Sequence, residues 1–135
     1  MSNYDENNIF SKILTKEIPA VRVYEDADNL VIMDAYPEKP GHMLAIPKRK
    51  SRNIFDIKDQ DFQSLSIIVK KISEIQKTAF GSSGVKIIHN CEPEAGQVIF
   101  HTHFHIIPYF SENSSMPDNL DTKEKQAEAM RELLV

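Results

Sequence analysis

The stretch Phe100-His101-Thr102-His103-Phe104-His105-Ile106-Ile107-Pro108 limits what this chain can become more than any other. It holds three of the five histidines, at every second position. Such alternation predicts a β-strand, because successive side chains on a strand point to opposite faces. His101, His103 and His105 are then expected on one face, spaced by roughly 7 Å for each step of two residues. Phe100, Phe104 and Ile106 fall on the other face, where they can pack on a core. A strand built this way hides its apolar side and presents a row of imidazoles.

One strand needs neighbours, and the rest of the chain supplies them. Ile9, Phe10, Ile13 and Leu14 recur at helical spacing and predict a short helix ending before Glu17-Ile18-Pro19. Residues 21–25 and 30–33 read as two strands, and Asp26-Ala27-Asp28-Asn29 between them has turn composition, which predicts an antiparallel hairpin. Pro37, Pro40 and Gly41 mark a loop, 42–46 reads as a third strand, and a helical turn is expected over 53–57. A long helix is predicted from Asp59, as its N-cap, to about Ala79, with Gly81 as its stop. Its apolar stripe is Phe62, Leu65, Ile68, Val69, Ile72 and Ile75. Residues 85–89 form a fourth strand and the histidine stretch a fifth. Asp121 is expected to cap a last helix over 122–134. The fold class is α+β: a five-stranded, mainly antiparallel sheet with the long helix packed on it and helices on one face. Residues 1–110 form the domain, and 111–135 a C-terminal tail with a short helix.

The net charge is −4 over 135 residues, so no overall basic field exists to hold duplex nucleic acid. No apolar run approaches the ~18 residues of a membrane span, and residues 1–8 lack the basic and apolar segments of a leader. Cys91 is the single cysteine, which excludes an intrachain disulfide and a four-cysteine metal site. A cytoplasmic location is expected.

Two chemistries suit the imidazole row. Neutral histidines are common zinc ligands, and a further ligand could come from His42 or Cys91. Imidazole is also a good nucleophile toward phosphorus, with flanking histidines able to hold phosphoryl oxygens and protonate a leaving group. Residue types alone leave both open. His89, beside a loop, reads as structural. The run Lys48, Arg49, Lys50 and Arg52 reads as a solvated loop; near a pocket mouth it could steer anionic substrates.

The motif His101-Thr102-His103-Phe104-His105-Ile106-Ile107, following Gly96-Gln97, resembles the signature of the histidine-triad (HIT) family. Ile9-Phe10, Lys16-Glu17-Ile18-Pro19, Tyr24-Glu25-Asp26, Met33-Asp34, His42, Ile46-Pro47-Lys48 and Asn90 extend the likeness from about Ile9 to Pro108. The resemblance implies a nucleotide hydrolase or transferase acting at the α-phosphate of AMP or GMP derivatives, without a cofactor or metal. It also implies a homodimer whose two sheets join as one of ten strands. In that scheme His103 attacks phosphorus, His105 holds phosphate oxygens, His101 orients His103 and His42 completes the polar cluster. Asn90 and Gln97 line the phosphate and leaving-group site, and Asp34 binds ribose hydroxyls. Ile9, Phe10, Ile13 and Ile32 form the slot for the base; by residue type alone they read as core. Nucleoside phosphoramidates are the expected substrates. The alternatives are dinucleoside polyphosphates, or a scaffold that acts through partner contacts.

Two departures stand out. Val98 occupies a position where the family usually carries Ser or Thr, which removes a hydroxyl donor. The residues equivalent to a structural zinc site of some bacterial members are Asn8, Ser11 and Lys50, which are poor zinc ligands.

Overall fold

The computed structural model describes residues 3–135. Its elements run α1 (Ile9–Leu14), β1 (Arg22–Glu25), β2 (Asn29–Met33), β3 (Met43–Pro47), α2 (Asp59–Phe80), β4 (Gly84–Ile88), β5 (Phe104–Tyr109) and α3 (Lys123–Leu133). The five strands form one antiparallel sheet in the order β1-β2-β3-β5-β4. The β1–β2 turn closes through Asp26, whose Oδ1 accepts from the N–H groups of Asp28 and Asn29 at 2.8 Å each.

Every residue of β2 and β3 is buried, which requires cover on both faces. Val31, Met33, Met43 and Ala45 meet α2 and α3, while Leu30, Ile32, Leu44 and Ile46 meet α1. The helices therefore do not share one face. A six-residue helix can cover only a patch, and α1 covers the patch that becomes the wall of a cavity. On the other face, Leu65, Ile68, Val69 and Ile72 of α2 are buried. At about 1.5–3 kcal/mol per side chain, that stripe contributes on the order of 6–12 kcal/mol as an upper bound. Ala127 and Met130 fasten α3 to the same core.

Two helix starts differ from expectation. Asp59 lies inside α2, because the N–H of Phe62 bonds to the carbonyl of Lys58 and makes Lys58 the flanking residue. Thr122, not Asp121, caps α3: its Oγ1 accepts from the N–H of Lys125 at 3.1 Å, whereas Asp121 pairs with the Lys125 ammonium. Gly81 ends α2 as expected, at φ 77°. Gly41, at φ 88°, is fixed more tightly, since a Cβ there would lie 2.8 Å from Pro108 and 2.9 Å from Met116. This glycine delivers the chain to His42.

Candidate active site

The histidine strand begins later than its alternation suggests. Only Phe104–Tyr109 joins the sheet. Before it, the N–H of Thr102 donates to the carbonyl of Ser51 at 2.8 Å, and the Thr102 hydroxyl bonds to that of Ser51, drawing the segment off the ladder. The three histidines consequently do not share one exposed face. His103 and His105 line the cavity with ring centroids 5.2 Å apart. His101 is fully buried behind them.

Backbone groups dictate where each imidazole carries its proton. A carbonyl can only accept, and a peptide N–H can only donate. His101 Nε2–H donates to Pro47 O at 2.7 Å, so Nδ1 accepts from the Tyr4 hydroxyl. That hydroxyl is itself held by Asn8 and Ser11. His103 Nδ1–H donates to the carbonyl of His101 at 2.7 Å, which leaves a lone pair on Nε2. His42 Nδ1 accepts from the N–H of Glu38 at 3.0 Å, so its Nε2 bears hydrogen and donates to His105 Nδ1 at 2.9 Å. His105 therefore carries its proton on Nε2. The site pairs an imidazole lone pair on His103 with an imidazole N–H on His105.

Burial keeps these rings neutral. It lowers the His103 pKa from 6.5 to about 4, against the pull of the His101 carbonyl. Burial lowers His42, His101 and His105 as well; Asp34 opposes it at His42 and His105. His103 also meets Phe10 edge-on, with centroids 4.8 Å apart.

The cavity measures about 670 Å³. Its wall combines apolar side chains, Ile9, Phe10, Ile13, Ile18 and Ile32, with polar ones, Asp34, Asn90, Gln97, His103 and His105. Phe10, Ile13 and Ile32 serve at once as core and as cavity wall. Of the residues that the resemblance assigns to the site, His42 and His101 stand behind the wall and the rest are on it. Asp34 Oδ2 lies 3.2 Å from His42 Nε2 and 3.9 Å from His105 Nδ1, while Oδ1 accepts from the N–H of Tyr36. Asp34, His42 and His105 bring three ligand atoms within 4.8 Å, a cluster that Cys91 does not join. His42 presents an N–H there rather than a lone pair, and a metal would have to break the Glu38 bond to change that.

Asn90 and Gln97 differ in what they can offer. Among the described residues, the Asn90 side chain has no hydrogen-bond partner, so its donors and acceptor face the cavity unspent. Gln97 has none to spare: Oε1 accepts from Asn53 and the N–H of Glu92, and Nε2 donates to Arg52 O and Ile99 O. It braces the loop. Val98 is 79 % exposed on the wall.

Residues 51–54 clamp the site from behind, a role with no periodicity to reveal it. Ser51 holds Thr102, Arg52 and Asn53 hold Gln97, and the N–H of Ile54 donates to His89 Nε2 at 3.1 Å. His89 Nδ1–H in turn donates to the carbonyl of His103 at 3.0 Å, with its ring stacked on Phe104. Arg52 grips Glu92 through two nitrogens at 2.9 and 3.0 Å, and Asn53 reaches the same carboxylate at 2.6 Å. Glu92 sits at φ 77° and ψ 156°, a backbone state that side chains other than glycine disfavour. Lys48, Arg49 and Lys50 are likewise answered, by Glu25, Asp28 with Asp61, and Glu6. None of the four cations lines the cavity.

A model of the HIT domain family matches residues 15–112. A 13.1 kDa HIT-like protein of Mesomycoplasma hyorhinis is 41% identical over 110 residues, covering 82% of this chain and 98% of that protein. A HIT-like protein involved in cell-cycle regulation from Bartonella henselae superposes with a TM-score of 0.86 at 39% identity, covering 96% of this chain and 98% of its own. A HIT family hydrolase from Clostridium thermocellum superposes with a TM-score of 0.69 at 33% identity, covering 82% and 97%.

Proposed function

The chain belongs to the HIT domain family, and on that footing we propose that it is a hydrolase or transferase acting at the α-phosphate of purine nucleoside phosphoramidates. The observation that carries the reading is the bond from His103 Nδ1–H to the carbonyl of His101. It leaves the Nε2 lone pair of a neutral imidazole on a ring that lines a nucleotide-sized cavity.

In this reaction His103 Nε2 bonds to phosphorus and the phosphorus–nitrogen bond breaks, its electron pair leaving with the amine, which takes a proton. The positive charge that forms on the ring is met by the His101 carbonyl through Nδ1–H, while His105 Nε2–H donates to a phosphoryl oxygen. Water then displaces His103 from phosphorus, sheds a proton and frees the nucleoside monophosphate. Asp34 accepts from ribose hydroxyls, and the base fills the apolar slot of Ile9, Phe10, Ile13 and Ile32.

The protein acts in this reading as a cytoplasmic homodimer, with residues 111–135 as a tail to the domain. Support for the dimer comes from β4, an edge strand whose Val85 and Ile87 are 40 % and 47 % exposed, and from Ile67 of α2, which is 67 % exposed.

The test is AMP release from adenosine 5′-phosphoramidate and from a diadenosine polyphosphate, in EDTA, by the wild type and His103→Ala. Release from the phosphoramidate, a nucleotidyl adduct trapped by an alkaline denaturing quench, and loss of both in the variant are expected. Preference for the polyphosphate would move the protein to the alternative substrate class. Activity that survives in the variant would overturn the mechanism, and no release from either substrate would favour a scaffold.

A further inference from the structure

The cavity wall carries one lysine, and it comes from the tail. Lys123 opens α3, and its half-buried side chain lines the cavity alongside Asp34, Ala35 and Tyr36. Its Nζ donates to the carbonyl of Ala35 at 3.4 Å, a long bond that occupies one of three donors. Among the described residues Lys123 pairs with no carboxylate, as is true of most of the lysines, and what sets it apart is its place on the cavity wall. The first residue of a helix is also where the helix dipole disfavours a cation. Thr122 caps the helix and Ala127 and Met130 anchor it, so the position of Lys123 follows from packing rather than from any partner of its own charge. The other polar side chains of the wall are a carboxylate, the Tyr36 phenol, two amides and neutral imidazoles, none of them a cation.

We propose that Lys123 is a nucleotide-binding residue, its ammonium donating to acceptor atoms of the nucleotide on the Asp34 side of the cavity. This rests on the nucleotide reading of the site. An ammonium has donors only, and a nucleotide offers two sets of acceptors there: the oxygens of the sugar phosphate, and the carbonyl and ring nitrogens of the base. Asp34, which only accepts, and Lys123, which only donates, then address opposite halves of the ligand's hydrogen-bonding pattern.

Calorimetric titration of the full chain with GMP, AMP and ribose 5-phosphate tests this, using the wild type, Lys123→Met, Lys123→Arg and Lys125→Ala, with thermal unfolding in parallel. Lys123→Met should weaken GMP binding ~10-fold at unchanged Tm, Lys123→Arg should recover most of it, and Lys125→Ala should match the wild type. A loss for the nucleotides but not for ribose 5-phosphate assigns the contact to the base. A similar loss for all three assigns it to the sugar phosphate. Unchanged affinities in Lys123→Met overturn the proposal while leaving the nucleotide reading intact, as does a loss that tracks a lower Tm and is not rescued by arginine. A wild type that binds none of the three overturns both.

Discussion

Replacing His103 with asparagine should flatten the acid limb of the stability curve by an amount the structure sets. Asn keeps an N–H where His103 Nδ1 donates to the His101 carbonyl, but it does not titrate. In the wild type, burial holds the His103 pKa at about 4 against an ordinary 6.5. Between those values the unfolded chain binds a proton that the folded chain refuses, so folding stability rises with pH through this window. The contribution is complete above pH 6.5 and is lost as pH falls toward 4. The whole shift is worth about 3 kcal/mol, of which about 2 kcal/mol is lost by pH 5. His42, His101 and His105 are shifted the same way, and they stay in both proteins. Urea unfolding at pH 8 and pH 5 should then show the wild type losing about 2 kcal/mol more than His103→Asn. A difference under about 0.5 kcal/mol would mean that His103 is not held neutral by burial, and the argument for its free lone pair at neutral pH would fall with it.

Other outcomes follow from the same geometry. The acid limb of kcat/KM for a phosphoramidate should lie well below pH 6.5, near the value of about 4 for His103; a limb at the ordinary histidine value would contradict it. Tyr4→Phe leaves His101 Nδ1 buried without its donor and should cost about 1–3 kcal/mol in chemical denaturation. Arg52→Met releases Glu92 from its two-nitrogen grip and should lower kcat/KM about tenfold through a misplaced Asn90 and His103, with far-UV circular dichroism unchanged. Gly41→Ala adds a Cβ against Pro108 and Met116 at φ 88° and should cost about 2–3 kcal/mol, read as a lower unfolding midpoint.

The sheet and the long helix are legible in the sequence because their periods are local. The wholly buried β2 and β3 read as continuous apolar runs, and the stripe of α2 reads at 3.6 residues. Alternation also puts His103 and His105 together. It misplaces His101, because the start of β5 is decided by a bond from Thr102 to Ser51, 51 residues away. The face covered by α1 is not legible either: six residues of apolar spacing say that a helix is buried, not against which side. Tyr4 and His89 act through partners 97 and 14 residues distant, and no spacing rule reaches them. The basic run reads as a solvated loop, and Arg49 and Lys50 are exposed; its ion pairs are not legible, because the answering acids are scattered from Glu6 to Glu92. Asn8, by contrast, could be read: an asparagine just before an apolar helical repeat is an N-cap signal, and its Oδ1 accepts from the N–H of Ser11.

The protons on His42, His103 and His101 are assigned by main chain, through the N–H of Glu38, the carbonyl of His101 and the carbonyl of Pro47, and His42 passes its assignment on to His105. A side chain can be exchanged in a single mutation, but a peptide group cannot. At position 38 only proline would remove the donor, so that residue can change size or charge while His42 and His105 keep their polarity. The carbonyls at 47 and 101 persist under any substitution. The direction in which protons point is thus insulated from drift in the surrounding sequence, and the cavity walls can be remodelled while His103 Nε2 still meets the cavity unprotonated.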